Sequence, residues 1–318
     1  MSLRRTSTVM HSQLRAICFA GWLSLLGIWV AVSVAGCATL RRNKAADPVL
    51  TSRQLSLRGV DAMHRGRWDD AESLFRSAIE AHPADERAHR QYAEVLWRRG
   101  HRDEAISQLE EAVRLSGGDP EMRVQLGEMY LDRGDVHQAW GQSEQALASH
   151  RQLPSAWALR GDLLRCMGQL DEALTSYHRA LSYEPRYPRV QIAVAEIYRN
   201  QDRPQRALAT LQLLIEQYGT DPPPADVWML QGLAFKALGR YDQAIESFAQ
   251  AKQTGQPNGD LLFHLAETHW LAGDVANARL ALQAALECHP EHSPSKQLQA
   301  EMLAGSHHLT AGLDTQVR

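Results

Sequence analysis

Beyond about residue 50, apolar and small residues repeat on a period far longer than a helical turn. Ala71, Ala105, Ala139, Ala173 and Ala207 stand 34 residues apart. After three extra residues around Pro222-Pro223-Pro224, the spacing resumes at Ala244 and Ala278. Five positions before these alanines come Gly66, Gly100, Gly134, Gly168, Asp202, Gly239 and Gly273. Seven positions after them come Ala78, Ala112, Ala146, Ala180, Leu214, Ala251 and Ala285. Twelve before come Gly59, Ala93, Gly127, Gly161, Ala195, Gly232 and Ala266.

This pattern predicts units of two helices, each about a dozen residues long, joined by a turn in which glycine reaches the left-handed region. Small residues mark the places where the paired helices cross. Large ones fill the space between them: Trp157 and Trp228 in first helices, Tyr130 and Tyr198 later in those helices, and Phe75, Tyr177 and Phe248 in second helices. Pro120, Pro154 and Pro188 open first helices, where a missing N–H costs nothing. Pro83, Pro185 and Pro290 close second helices. Seven units result: 52–85, 86–119, 120–153, 154–187, 188–221, 225–258 and 259–292. A capping helix over 293–304 is expected to cover the last apolar face, followed by a disordered tail, 305–318.

Together, the residues of this pattern resemble the tetratricopeptide repeat. The family's order of Trp, Leu, Gly, Tyr, Ala, Phe, Ala and Pro is met best by Trp157–Pro185 and Trp228–Ala251, with Arg160 and Gln231 where the family has Leu. Ser143 replaces the second-helix aromatic of unit three, and Asp202 the turn glycine of unit five. The resemblance implies an all-α, right-handed solenoid that binds proteins and performs no catalysis. Residues at 44% apolar, 22% charged and only 7% aromatic fit a helical, folded chain.

Residues 1–36 stand apart as an export segment. Arg4, Arg5 and Arg15 precede an uncharged stretch, Ala16 to Gly36, that ends in small residues. Val34-Ala35-Gly36-Cys37 resembles a bacterial lipobox, which implies that Cys37 is lipidated and that 37–51 is a short linker. Ala38 after the cysteine follows the sorting pattern of Gram-negative outer-membrane lipoproteins, which implies a location at that membrane, facing the periplasm. Ala16–Gly36 is also long enough to span a bilayer, so an uncleaved signal anchor on a subunit of an inner-membrane assembly or secretion machine stays open. Both readings tether the protein to a membrane.

With 34 basic residues against 37 acidic ones and a formal net charge of −3, the chain offers no electrostatic reason to bind nucleic acid. Its expected partners are proteins. In the family the first helices line the concave face, and three rows of positions face inward there. One row reads Val60, Glu94, Glu128, Asp162, Glu196, Leu233 and Glu267; the next Met63, Trp97, Leu131, Arg165, Arg199, Lys236 and Trp270; the third Ser56, Arg90, Val124, Ala158, Ile192, Met229 and Phe263. Candidate partner-binding residues are therefore Arg90, Glu94, Trp97, Glu128, Leu131, Asp162, Arg165, Ile192, Glu196, Arg199, Met229, Lys236, Phe263, Glu267 and Trp270. Trp97, Met229, Phe263 and Trp270 are the expected apolar anchors. Asp162–Arg165 and Glu196–Arg199 are spaced as i,i+3 pairs on a helix face. The Lys and Asn clamp by which some relatives hold chaperone C-termini is absent, since Arg90, Glu94, Val124 and Glu128 occupy its positions.

No phosphate loop, GxSxG or His-Glu-x-x-His occurs, and no catalytic residue or cofactor is assigned. Cys288-His289-Pro290-Glu291-His292 has ligand types at close spacing. Zinc sites usually draw on two spaced pairs, so a polar turn is the primary reading and a metal-binding enzyme a minor one.

Overall fold

The computed structural model describes residues 47–256 and 258–314. Among them are fifteen α-helices and no strand. The chain divides into two compact units, one ending at Gly118 and the other beginning at Asp119.

The first unit holds two helix pairs: α1 (Pro48–His64) with α2 (Trp68–Ala81), and α3 (Glu86–Arg98) with α4 (Arg102–Leu115). The second holds five: α5 (Pro120–Arg133) with α6 (Val136–Ser149), α7 (Pro154–Cys166) with α8 (Leu170–Tyr183), α9 (Pro188–Asn200) with α10 (Pro204–Tyr218), α11 (Ala225–Ala237) with α12 (Tyr241–Thr254), and α13 (Gly259–Leu271) with α14 (Val275–Cys288), then α15 (Ser293–Asp314). Within each unit every helix packs on the next in sequence. That order is a solenoid's, in which each repeat is stabilised by its neighbours.

Local chemistry sets the helix ends. α5 starts at Pro120, with the Asp119 carboxylate accepting from the Met122 N–H at 2.9 Å. It stops at Gly134, whose φ of +91° lets the Asp135 N–H bond back to the Tyr130 carbonyl at 2.8 Å. All seven intra-pair turns place a residue at positive φ, and in the fifth that residue is Asp202 at +54°. A side chain there is strained, although aspartate tolerates it better than most.

Two ends differ from the sequence expectation. α1 begins at Pro48, inside the expected linker, because Asp47 caps it by accepting from the Val49 N–H. Ser52, buried on α1, donates to Asp85 at 2.7 Å, and Asp85 in turn caps α3. At the other end, the capping helix runs past residue 304 to Asp314, so 305–314 is helical where a disordered tail was expected. No proline follows Pro294, and Gly305 and Gly312 each cost only about 1 kcal/mol.

In three pairs the core is an aromatic ring laid on a glycine. A Cβ on Gly59 would sit 2.7 Å from the Phe75 ring, one on Gly161 2.5 Å from Tyr177, and one on Gly232 2.5 Å from Phe248. Phe75, Tyr177 and Phe248 are completely or almost completely buried. The α5–α6 pair solves the same problem differently. Ser143 stands where the ring would be, and Leu159 from α7 fills the space, so a Cβ on Gly127 would meet Leu159 Cδ2 at 2.5 Å. Gly127 is therefore a contact with the following unit before it is a crossing within its own.

Candidate partner-binding surface

Three first helices of the second unit, α5, α7 and α9, carry an open cleft of about 910 Å³. Leu131, Ile192 and Ala193 supply its apolar surface. Glu128, Asp132, Asp162 and Glu196 bring four carboxylates to it, against the guanidiniums of Arg165 and Arg189.

Arg189 organises the charges. Its Nη1 donates to Asp162 Oδ2 at 2.8 Å and its Nη2 to Glu128 Oε1 at 3.2 Å, so one side chain of α9 bridges α7 and α5. Asp162 Oδ1 accepts from the Tyr177 hydroxyl at 2.6 Å. Arg165 Nη1 reaches Glu196 Oε2 at 3.4 Å. The i,i+3 pairing expected for Asp162–Arg165 and Glu196–Arg199 is thus replaced by bonds between helices, and Arg199 donates instead to Asn200 Oδ1 at 3.1 Å. Long arginine side chains reach the neighbouring helix as readily as the next turn of their own.

Burial raises the Glu128 carboxyl above its ordinary value against the pull of Arg189, and Asp162, Asp132 and Glu121 push the same way. Burial, then the Asp162 charge, holds the Tyr177 phenol well above its usual range. For Arg189, burial opposes the charge, but Asp162, Tyr187 and Glu128 outweigh it and the guanidinium stays charged. The cleft combines an excess of acid with an apolar strip.

The other candidate residues fall elsewhere. In the first unit Arg90 is half-buried, Glu94 exposed, and Trp97 half-buried with the Arg102 guanidinium 4.0 Å over its ring. In the second, Lys236 donates to Glu267 and lies 3.3 Å from His264 Nδ1. Hydrogen bonding from His264, then from Lys236, pulls the Glu267 carboxyl down to about 2. Met229 packs beside Phe248 and Leu261. Phe263 and Trp270 are half-buried against Ala266, Ala278, Leu282, Leu298 and Met302, so the cap helix α15 shares their apolar surface.

Sequence reading missed Arg189. It lies outside the three inward rows, and the signal available was its type, the one cation in the first turn of α9 beside acidic rows.

His292 uses both ring nitrogens, with Asp260 Oδ1 at 3.0 Å and Ser295 Oγ at 2.7 Å. Cys166 and Cys288 are exposed and unpaired with each other. Among the described residues no group of three or more His, Cys, Asp or Glu side chains is arranged to hold a metal ion, and no helix is long and apolar enough to cross a membrane. Cys37 and the export segment lie outside the described residues.

Comparison with known proteins follows the same geometry. A tetratricopeptide repeat model matches residues 57–120, 91–156 and 225–293, and a second tetratricopeptide repeat model matches 165–232. Among solved structures, a tetratricopeptide repeat protein from Parabacteroides merdae is 14% identical over 80% of this chain and 99% of its own, with a TM-score of 0.57. PilF of Pseudomonas aeruginosa is 17% identical over 68% of this chain and 97% of its own, at 0.60. PilW, a type IV pilus biogenesis factor, is 20% identical over 64% and 92%, at 0.57. At these identities the likeness is one of fold. No curated protein sequence matches the chain significantly.

Proposed function

The chain belongs to the tetratricopeptide repeat family, and from that premise we propose that it is a non-enzymatic scaffold that binds a protein partner along its first helices and holds it at a bacterial envelope membrane. The cleft of α5, α7 and α9 carries this reading. An apolar strip between four carboxylates and two guanidiniums suits an extended partner segment with basic and apolar side chains, where complementary charge selects the partner.

A photo-crosslinking residue at Ile192, in the cleft, can be compared with one at Glu246, exposed on α12. Ile192 should capture protein adducts in intact cells that Glu246 does not, and Glu128→Gln with Glu196→Gln should reduce their yield. Equal capture from both positions, or capture indifferent to the two carboxylates, would overturn the assignment.

The tether rests on the lipobox ending at Cys37 and on Ala38 behind it, which together support an outer-membrane lipoprotein. Acyl chains contribute about 0.8 kcal/mol per buried methylene, so two or more hold a protein on a bilayer nearly permanently. Palmitate should label the wild type and not Cys37→Ser. Absence of label from both would favour the second reading, an anchor formed by the uncharged Ala16–Gly36 stretch.

A further inference from the structure

A second cleft of the Asp119–Arg318 unit, of about 830 Å³, faces the second helices and has the opposite sign. Trp157 lines it. The indole N–H donates to the Arg151 carbonyl at 2.9 Å, which fixes the ring. The Arg179 guanidinium lies 4.6 Å from the Trp157 ring centroid, and that of Arg160 lies 6.0 Å from it and 4.8 Å from Trp140. Arg151, Arg160 and Arg179 all line the cleft, with Leu147 and the exposed Tyr183.

The three arginines lack what their counterparts in the first cleft have. Arg189 and Arg165 are paired with carboxylates, whereas among the described residues no carboxylate is within ion-pair distance of Arg151, Arg160 or Arg179. The one acid in the cleft, Glu144, pairs with none of them. A guanidinium held over an aromatic face is attracted to the ring and still has N–H donors to offer a partner. Its fork matches the two oxygens of a carboxylate.

We propose that this cleft is a second docking site, which takes an acidic peptide segment of a protein partner. Aspartate or glutamate side chains meet Arg160 and Arg179, and an adjoining apolar side chain rests on Trp157 and Leu147. A polyanion surface fits less well. Nucleic acid or an anionic bilayer demands a broad basic face, and here three cations surround one aromatic patch on a chain with more acids than bases. The volume lies in the range of small-ligand clefts, about 300–1,000 Å³, enough for a few residues of extended chain.

The test uses the full-length protein in phosphatidylcholine nanodiscs and a fluorescent peptide built of Glu, Asp and Leu, with its Gln/Asn/Leu counterpart and phosphatidylglycerol vesicles as competing probes. The acidic peptide should bind the wild type at least about tenfold more tightly than the neutral one, with affinity falling as salt rises. Arg160→Leu, which installs the residue of the regular repeat, should weaken it severalfold, and Arg160→Leu with Arg179→Gln by tenfold or more at an unchanged melting temperature. If the double variant does not fold, the wild-type comparison and the single variant decide. No binding of the acidic peptide, equal binding of the neutral one, or indifference to Arg160→Leu overturns the proposal. Vesicle binding that depends on these arginines without peptide binding reassigns the cleft to lipid and overturns it too. Neither substitution touches the cleft around Ile192, so failure here leaves that reading standing.

Discussion

The Tyr177 hydroxyl donates a hydrogen bond to Asp162 Oδ1 at 2.6 Å, which joins the buried ring of the α7–α8 pair to the carboxylate that Arg189 grips from α9. Core packing and surface charge share one residue at this point. Tyr177→Phe keeps the ring and removes the bond to a charged acceptor. The expected loss is about 1.5–3 kcal/mol, read as a lower midpoint in chemical denaturation with an unchanged slope. A shift below a few tenths would mean that solvent replaces the hydroxyl without penalty.

Gly161 and Gly127 occupy equivalent positions but face different obstacles. At Gly161 a methyl would meet three atoms of the Tyr177 ring within 2.9 Å, and that ring is held by its bond to Asp162. At Gly127 the nearest atom is the tip of Leu159, with Gln142 Cβ at 3.3 Å behind it. Gly161→Ala should cost roughly 1–3 kcal/mol, and Gly127→Ala distinctly less, since Leu159 can rotate and alanine favours the helix. Equal melting temperatures for the two variants would contradict this account.

Asp202 is the only described non-glycine residue at positive φ. Asp202→Gly removes that strain, and the gain is partly offset by the freedom glycine has in the unfolded chain. A net stabilisation of about 0.5–1 kcal/mol is expected, with Asp202→Ala showing none. Differential scanning calorimetry of both variants would reveal the ordering.

Glu267 makes stability depend on acid. Its folded pKa of about 2 lies below the ordinary 4.5, so the carboxylate's contribution is fully present above that ordinary value and is lost as pH falls toward the folded one. Glu267→Gln should therefore be less stable than wild type at neutral pH, with the difference shrinking between pH 4.5 and about 2. Denaturant midpoints of the two proteins across that range would show the convergence, and parallel curves would exclude it.

The sequence by itself determined the repeat. The spacing of Ala71 through Ala278, the turn glycines and the prolines at 120, 154 and 188 specify local geometry, helix by helix, and local geometry is written in neighbouring residues. It also marked Ser143 and Asp202 as irregular. Only the tertiary structure decided what those irregularities mean: Leu159 of the next unit occupies the room Ser143 leaves, and Asp202 adopts the glycine's conformation. It alone showed that Arg189 spans three helices, that Phe263 and Trp270 share a surface with the cap, and that Arg160 and Arg179 converge on Trp157. The physical reason is reach. A period of 34 positions fixes which backbones lie side by side, but ion pairs and stacked rings depend on the offset between successive helices and on the rotamers of long side chains, which neither period nor composition records.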